Sequence, residues 1–89
     1  MSEETFSMQP FRDKLEHIKS TINTVPYEAR SDLMIMWKHC ESLIDLMSKE
    51  SVECRRLHKK TSKFRELEKN TTESIENLEI YITMGLLSF

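Results

Sequence analysis

One glycine and two prolines are spread over 89 residues, and this scarcity of turn formers constrains the chain more than any other feature. Hairpin turns draw on Gly, Asn-Gly and Pro, so a sheet of several strands has almost nothing to turn on, whereas a few long helices need few turns. An all-α fold is therefore expected. The length fits one domain, residues 1–89, and a chain this short buries only a modest share of its surface when it folds alone. Help from a partner copy is expected. Charged residues make up 31% and hydrophobic residues 38% of the chain, which is too apolar for a disordered segment.

Three helical stretches can be read from spacing. Phe11, Leu15, Ile18, Ile22 and Val25 recur at steps of four and three, so they share one face. Pro10 suits the first helical position, and Pro26 pushes the residue before it out of the α region. Helix one is expected over 10–25, after a flexible arm at 1–9. A second helix over 27–59 is signalled by Ser31 as a cap and by Leu33, Met36, Cys40, Leu43, Met47, Cys54 and Leu57 at near-heptad steps, with Trp37 and Ile44 widening the stripe. The apolar pattern thins between Ser48 and Ser62. Thr61 and Ser62 then offer caps ahead of Phe64, Leu67, Thr71, Leu78, Ile82 and Leu86, so helix three is expected over 62–85. A turn near 58–62 would fold helices two and three into a long antiparallel hairpin, burying both stripes.

The run from Leu78 to Phe89 is apolar around most of its circumference, with Gly85 placed to end the helix in a left-handed cap and residues 86–89 left as an apolar tail. So much apolar surface at the end of a small chain predicts self-association into a homo-oligomeric helical bundle. The run is also too short, at 12 residues with Glu79 inside it, for the ~20 residues that a membrane span needs. The acidic start Met1-Ser2-Glu3-Glu4-Thr5 has no apolar segment behind it, so no secretory signal is expected and the cytoplasm is the expected compartment. There Cys40 and Cys54 should be free thiols, about 21 Å apart if one helix carries both. The sequon Asn70-Thr71-Thr72 then has no glycosylation role.

A formal net charge of -2 argues against duplex nucleic acid as a partner, since proteins that grip phosphate backbones carry a basic excess. The sharpest local feature runs from Arg55 to Arg65, with six Lys or Arg and no acid. One reading is a solvated turn whose cations complement a helix C-terminus. A second is an anion site where Arg and Lys converge on phosphate beside Thr or Ser hydroxyls, and a third is an acidic protein partner. Cys54 and His58 are four apart, yet no second pair at zinc-like spacing accompanies them, and His17 and His39 lack ligand neighbours. Neither a metal nor a cofactor is expected. No nucleophile motif or Gly-rich phosphate loop occurs, and Glu66, Glu68, Glu73, Glu76 and Glu79 fall at solvent-facing helical spacing, so a non-enzymatic binding protein is expected. Trp37, Tyr27 and Tyr81 read as core or interface aromatics. Phe6, alone in the polar arm, must staple onto the fold or cover something planar.

A short first helix, a long helical hairpin, an aromatic in the N-terminal arm and an apolar C-terminal tail together resemble the phage proteins that counter CBASS immunity. The resemblance is one of layout across most of the chain. It implies a sponge: a homo-oligomer, typically a hexamer, that sequesters cyclic dinucleotides or trinucleotides at subunit interfaces without cutting them, in the host cytoplasm. It also implies a pocket of an N-terminal aromatic, a Lys near the first helix, and Arg and Thr from the last helix. The nearest matches here are Phe6, with Phe11 as the other candidate aromatic, Lys19, Arg65 and Thr72. The family's Arg-Thr pair on the last helix is replaced by Thr71-Thr72, and small residues further on by Asn77-Leu78-Glu79-Ile80. The alternative from another class is a small helical adaptor or inhibitor that docks its apolar face on a host protein.

Overall fold

The structure, a computed structural model, describes residues 7–87, and for Leu86 and Leu87 the backbone alone. The described residues are all-helical: α1 spans Gln9–Ile22, α2 Tyr27–Leu57 and α3 Ser62–Leu87. At 1.5 Å per residue α2 alone is about 46 Å long, which sets the long dimension of a molecule measuring 49 × 22 × 15 Å.

Each helix end has a local chemical cause. α1 opens at Gln9, one residue before Pro10, whose missing N–H is no loss in the first turn. It closes at Ile22, short of the expected residue 25, because Thr24 Oγ1 donates to the Thr21 carbonyl at 2.7 Å and the Val25 amide donates to Ile22 at 3.1 Å. The chain thus turns before Pro26. α2 then starts at Tyr27, directly after Pro26 with its extended ψ of 142°, so Ser31 is an exposed interior residue and not the cap expected of it. α2 ends at Leu57, where His58 adopts a left-handed φ of 58° and its amide and that of Lys59 bond back to Arg55 and Cys54. Thr61 caps α3, accepting from the Phe64 amide at 3.1 Å.

At its far end α3 departs from the expected course. Gly85 takes no positive φ and lies inside the helix, which continues to Leu87. A left-handed cap is needed only where a helix must stop, and here Gly85 instead faces Val25, with room for a Cβ between them.

The core follows a stricter heptad than the sequence reading gave. Leu33, Trp37, Cys40, Ile44, Met47, Ser51 and Cys54 are the buried residues of α2, at alternating steps of four and three. Met36 and Leu43 are only half-buried and Leu57 is exposed. The buried seam keeps Leu33, Cys40, Met47 and Cys54 of the expected stripe and takes Trp37 and Ile44 in place of Met36 and Leu43. Trp37 supplies a reason: its Nε1 donates to the Leu15 carbonyl at 2.7 Å, tying α2 to α1, and a buried indole N–H needs such a partner. α1 contributes Leu15, Ile18 and Ile22, the following loop Val25, and α3 Phe64, Thr71, Ile75, Leu78 and Ile82. Phe11, placed on the α1 stripe by sequence, packs at the edge of this core.

Candidate functional site

Because α1 is less than half as long as α2, it cannot cover the whole length of the other two helices. Arg12 reaches Asp45 at 3.2 Å, Lys14 reaches Glu79 at 3.3 Å, and Trp37 bonds Leu15, so α1 lies over one half of the α2 and α3 pair. The other half contains the basic stretch.

That stretch is built around a hydroxyl. Thr61 Oγ1 donates to Glu50 Oε2 at 2.8 Å while accepting from Phe64 N, and Cys54 Sγ sits 3.8 Å away. Lys60 is committed locally, 3.0 Å from Glu68 and over the Phe64 ring at 5.9 Å. Arg56 is committed to Glu53 by two hydrogen bonds. That contact holds the Glu53 carboxyl below its ordinary pKa and raises the Arg56 guanidinium. Arg55, Lys59, Lys63 and Arg65 are exposed and have no carboxylate within ion-pair distance among the described residues. The basic segment therefore divides into two cations used by the fold and four left to solvent. The rest of the chain carries all fifteen carboxylates, which concentrates positive potential at this end.

Of the residues implied by the resemblance, Lys19, Arg65 and Thr72 are spread along the molecule. Phe6 lies outside the described residues. Lys19 is exposed on α1 with its ammonium 5.0 Å from the centroid of Trp37, a cation–π contact that pins it beside the three-helix core. Arg65 is exposed one turn beyond Thr61, which bonds Glu50. Glu50 and Trp37 are 13 residues apart on α2, so Lys19 and Arg65 sit about 20 Å apart along the axis. Thr72 is exposed between those levels, whereas Thr71 is fully buried and its hydroxyl meets Met47 Sδ at 3.3 Å. Among the described residues, one chain brings none of Lys19, Arg65 and Thr72 into mutual contact.

At the opposite end a groove of about 360 Å³ opens between α2 and α3, lined by Ala29, Asp32, Leu33, Ile35, Met36, Tyr81, Met84 and Gly85. Ile35 is 65% exposed, Tyr81 53% and Met84 55%, so this is an apolar surface and not a sealed cavity. The sequence reading did not single out Ile35. A signal was present, because Leu33-Met34-Ile35-Met36-Trp37 is an unbroken apolar run, and no helix can turn five consecutive side chains inward. Tyr27, expected as a core or interface aromatic, is 80% exposed.

Cys40 and Cys54 are free and buried. Burial pushes the Cys40 thiol up, away from thiolate chemistry. The described residues contain no group of three or more His, Cys, Asp or Glu able to hold a metal, and no helix among them is long and apolar enough to cross a membrane. Comparison with known protein families, curated proteins and solved structures finds no match.

Proposed function

We propose that this chain is a non-enzymatic, homo-oligomeric binding protein of the phage counter-defence type, which sequesters cyclic oligonucleotide immune signals between its subunits. The observation that carries the reading is the set of four exposed, carboxylate-free cations, Arg55, Lys59, Lys63 and Arg65, in a chain of net charge -2. A cyclic dinucleotide or trinucleotide presents two or three phosphates and as many planar bases, which matches guanidinium groups combined with an aromatic. Lys19 and Arg65 lie too far apart along one chain to grip one small ligand, so the pocket requires different copies to bring Phe6, Lys19, Arg65 and Thr72 together. In this reading α2 and α3 form an antiparallel hairpin, and hairpins assemble side by side, a hexamer being the assembly implied by the resemblance. The host cytoplasm is the compartment where such a ligand occurs.

The test is a panel of cyclic dinucleotides and trinucleotides at micromolar concentration, read by melting temperature and by recovery of the ligand after heating. A rise in melting temperature with intact ligand released supports the sponge. No shift with any member of the panel overturns it. Phe6→Ala and Arg65→Ala should each abolish the shift without changing the mass of the assembly.

A second reading draws on the apolar groove at the other end. Ile35, Tyr81 and Met84 form a face on which a helix of a host protein could lie, making the chain an adaptor or inhibitor. That reading expects no response to cyclic nucleotides and a single host protein recovered in a pull-down.

A further inference from the structure

The N-terminal end of α1 points at the half of the molecule that α1 leaves uncovered. α1 runs antiparallel to α2, since Arg12 pairs with Asp45 while Leu15, further along α1, takes its bond from Trp37, further back on α2. Met8, one turn before Arg12, is buried in the core. The chain that precedes it therefore leaves α1 about 6 Å nearer the 58–61 turn than Arg12. That chain reads Met1-Ser2-Glu3-Glu4-Thr5-Phe6, two carboxylates and one aromatic.

Two open cations flank the path ahead of it. Arg55 is 18 residues after Trp37, which is five whole turns, so it shares the face of α2 whose indole reaches α1. Arg65 is 14 residues before Glu79, close to four turns, and Glu79 holds Lys14 of α1. Both guanidinium groups thus lie on the side of the α2 and α3 pair where α1 sits. The half-buried carboxylates nearby are already used, Glu50 by Thr61, Glu53 by Arg56 and Glu68 by Lys60. Val52, one heptad after Asp45, is 67% exposed on the same flank, an apolar seat with nothing large upon it.

The lengths agree. Arg55 is ten residues beyond Asp45, about 15 Å along α2, of which Met8 has covered about 6 Å. Extended chain carries Phe6 up to about 7 Å past Met8, level with Val52, and Glu4 and Glu3 up to about 13 and 17 Å, enough for the remaining ~9 Å and a sideways step.

We infer that the segment from Met1 to Phe6 docks on the uncovered half of its own chain, with Phe6 on Val52 and Glu3 and Glu4 on Arg55 and Arg65. Exposed ion pairs are individually weak, yet a short tether holds the segment at an effective concentration on the order of millimolar, so weak pairs suffice. The contact is made within one chain and needs neither the assembly nor the ligand proposed above. Any anion that reaches Arg65 must first displace the segment, so the chain carries its own competitor for its open cations.

A nitroxide on the full chain tests this. Attached at Ser2→Cys, with Cys40 and Cys54 buried out of its reach, it broadens the amide NMR signals of the residues beside it. Broadening concentrated at 52–55 and 65–69 and absent around Ile35 and Tyr81 is expected, and salt at about 0.5 M should remove most of it. Arg55→Glu with Arg65→Glu should lose the broadening, and adding Glu3→Arg with Glu4→Arg should restore it, with circular dichroism identifying the variants as folded. No broadening, broadening spread evenly over the chain, or broadening that the reversed arginines leave unchanged overturns the docking, as does a charge swap that restores nothing. Mixing nitroxide-bearing chains with isotope-labelled chains that lack the nitroxide places the contact. Broadening in the latter means that the segment sits on another copy, which overturns docking within one chain. No nucleotide is present, so this result and the cyclic nucleotide panel can fail independently.

Discussion

The two halves of this rod solve the same packing problem with different materials. Where α1 covers the pair, the core is aliphatic and aromatic: Leu15, Ile18, Ile22 and Val25 pack in one cluster with Leu33, Trp37, Ile44, Leu78 and Ile82. Beyond the reach of α1 only two helices remain, and the buried positions become Met47, Ser51, Cys54, Phe64 and Thr71. Two helices alone cannot enclose a wide seam of large side chains. Small and polar residues let them approach closely, with each buried hydroxyl given a partner: Ser51 donates to the Ser48 carbonyl at 2.6 Å and Thr71 meets Met47. Hydrophobic burial stabilises both halves, and in the two-helix half the hydroxyls of Ser51 and Thr71 are buried beside Met47, Cys54 and Phe64.

The difference matters for function because the two-helix half carries the four open cations, and the three-helix half carries the apolar groove of Ile35, Tyr81 and Met84. One end can offer charge to an anion while the other offers surface to a partner.

Removing the anchor of the two-helix half should have the largest effect. Phe64 is 1% exposed, and Phe64→Ala should cost about 3–5 kcal/mol in urea denaturation, with amide exchange accelerated first around the 58–61 turn. A loss under about 1 kcal/mol would mean that this half has no core to lose. Thr61→Ala comes next. It removes the cap of α3 and leaves Glu50 without its donor, so a loss of about 1–2 kcal/mol is expected, with Thr61→Ser retaining most of the stability. The smallest effect has the opposite sign and belongs to the three-helix half. A Cβ at Gly85 would sit 3.6 Å from Val25 Cγ1, an ordinary contact, on a helix with no positive φ there. Gly85→Ala should therefore raise stability by about 0.5–1 kcal/mol. A destabilised Gly85→Ala would show that the space beside Val25 does not accept a methyl group.

The helical class was legible from the missing turn formers, and the phase of the α2 core was not. Met36 and Leu43 form one apolar stripe, Trp37 and Ile44 another, a single residue away. Choosing between them needs the position of α1 and the indole bond to Leu15, which is a contact between distant parts of the chain. Gly85 misled for a related reason, since a glycine near a helix end reads as a stop until its neighbour is known. At the candidate site, the basic stretch stood out in the sequence, but its division into committed and open cations did not. Lys60 pairs with Glu68 and Arg56 with Glu53, and only the folded backbone decides which carboxylates come within reach. The exposed Ile35 went unread because one apolar residue among Glu28, Asp32, Lys38 and His39 looks like any solvated helix surface.

Assembly and ligand are joined in one measurement, native mass spectrometry of the full chain mixed with a cyclic dinucleotide or trinucleotide. A homo-oligomer carrying intact cyclic nucleotide, lost on Arg65→Ala with the protein mass unchanged, is the predicted result. A bare monomer, or an oligomer that never takes up ligand, would contradict the proposed function.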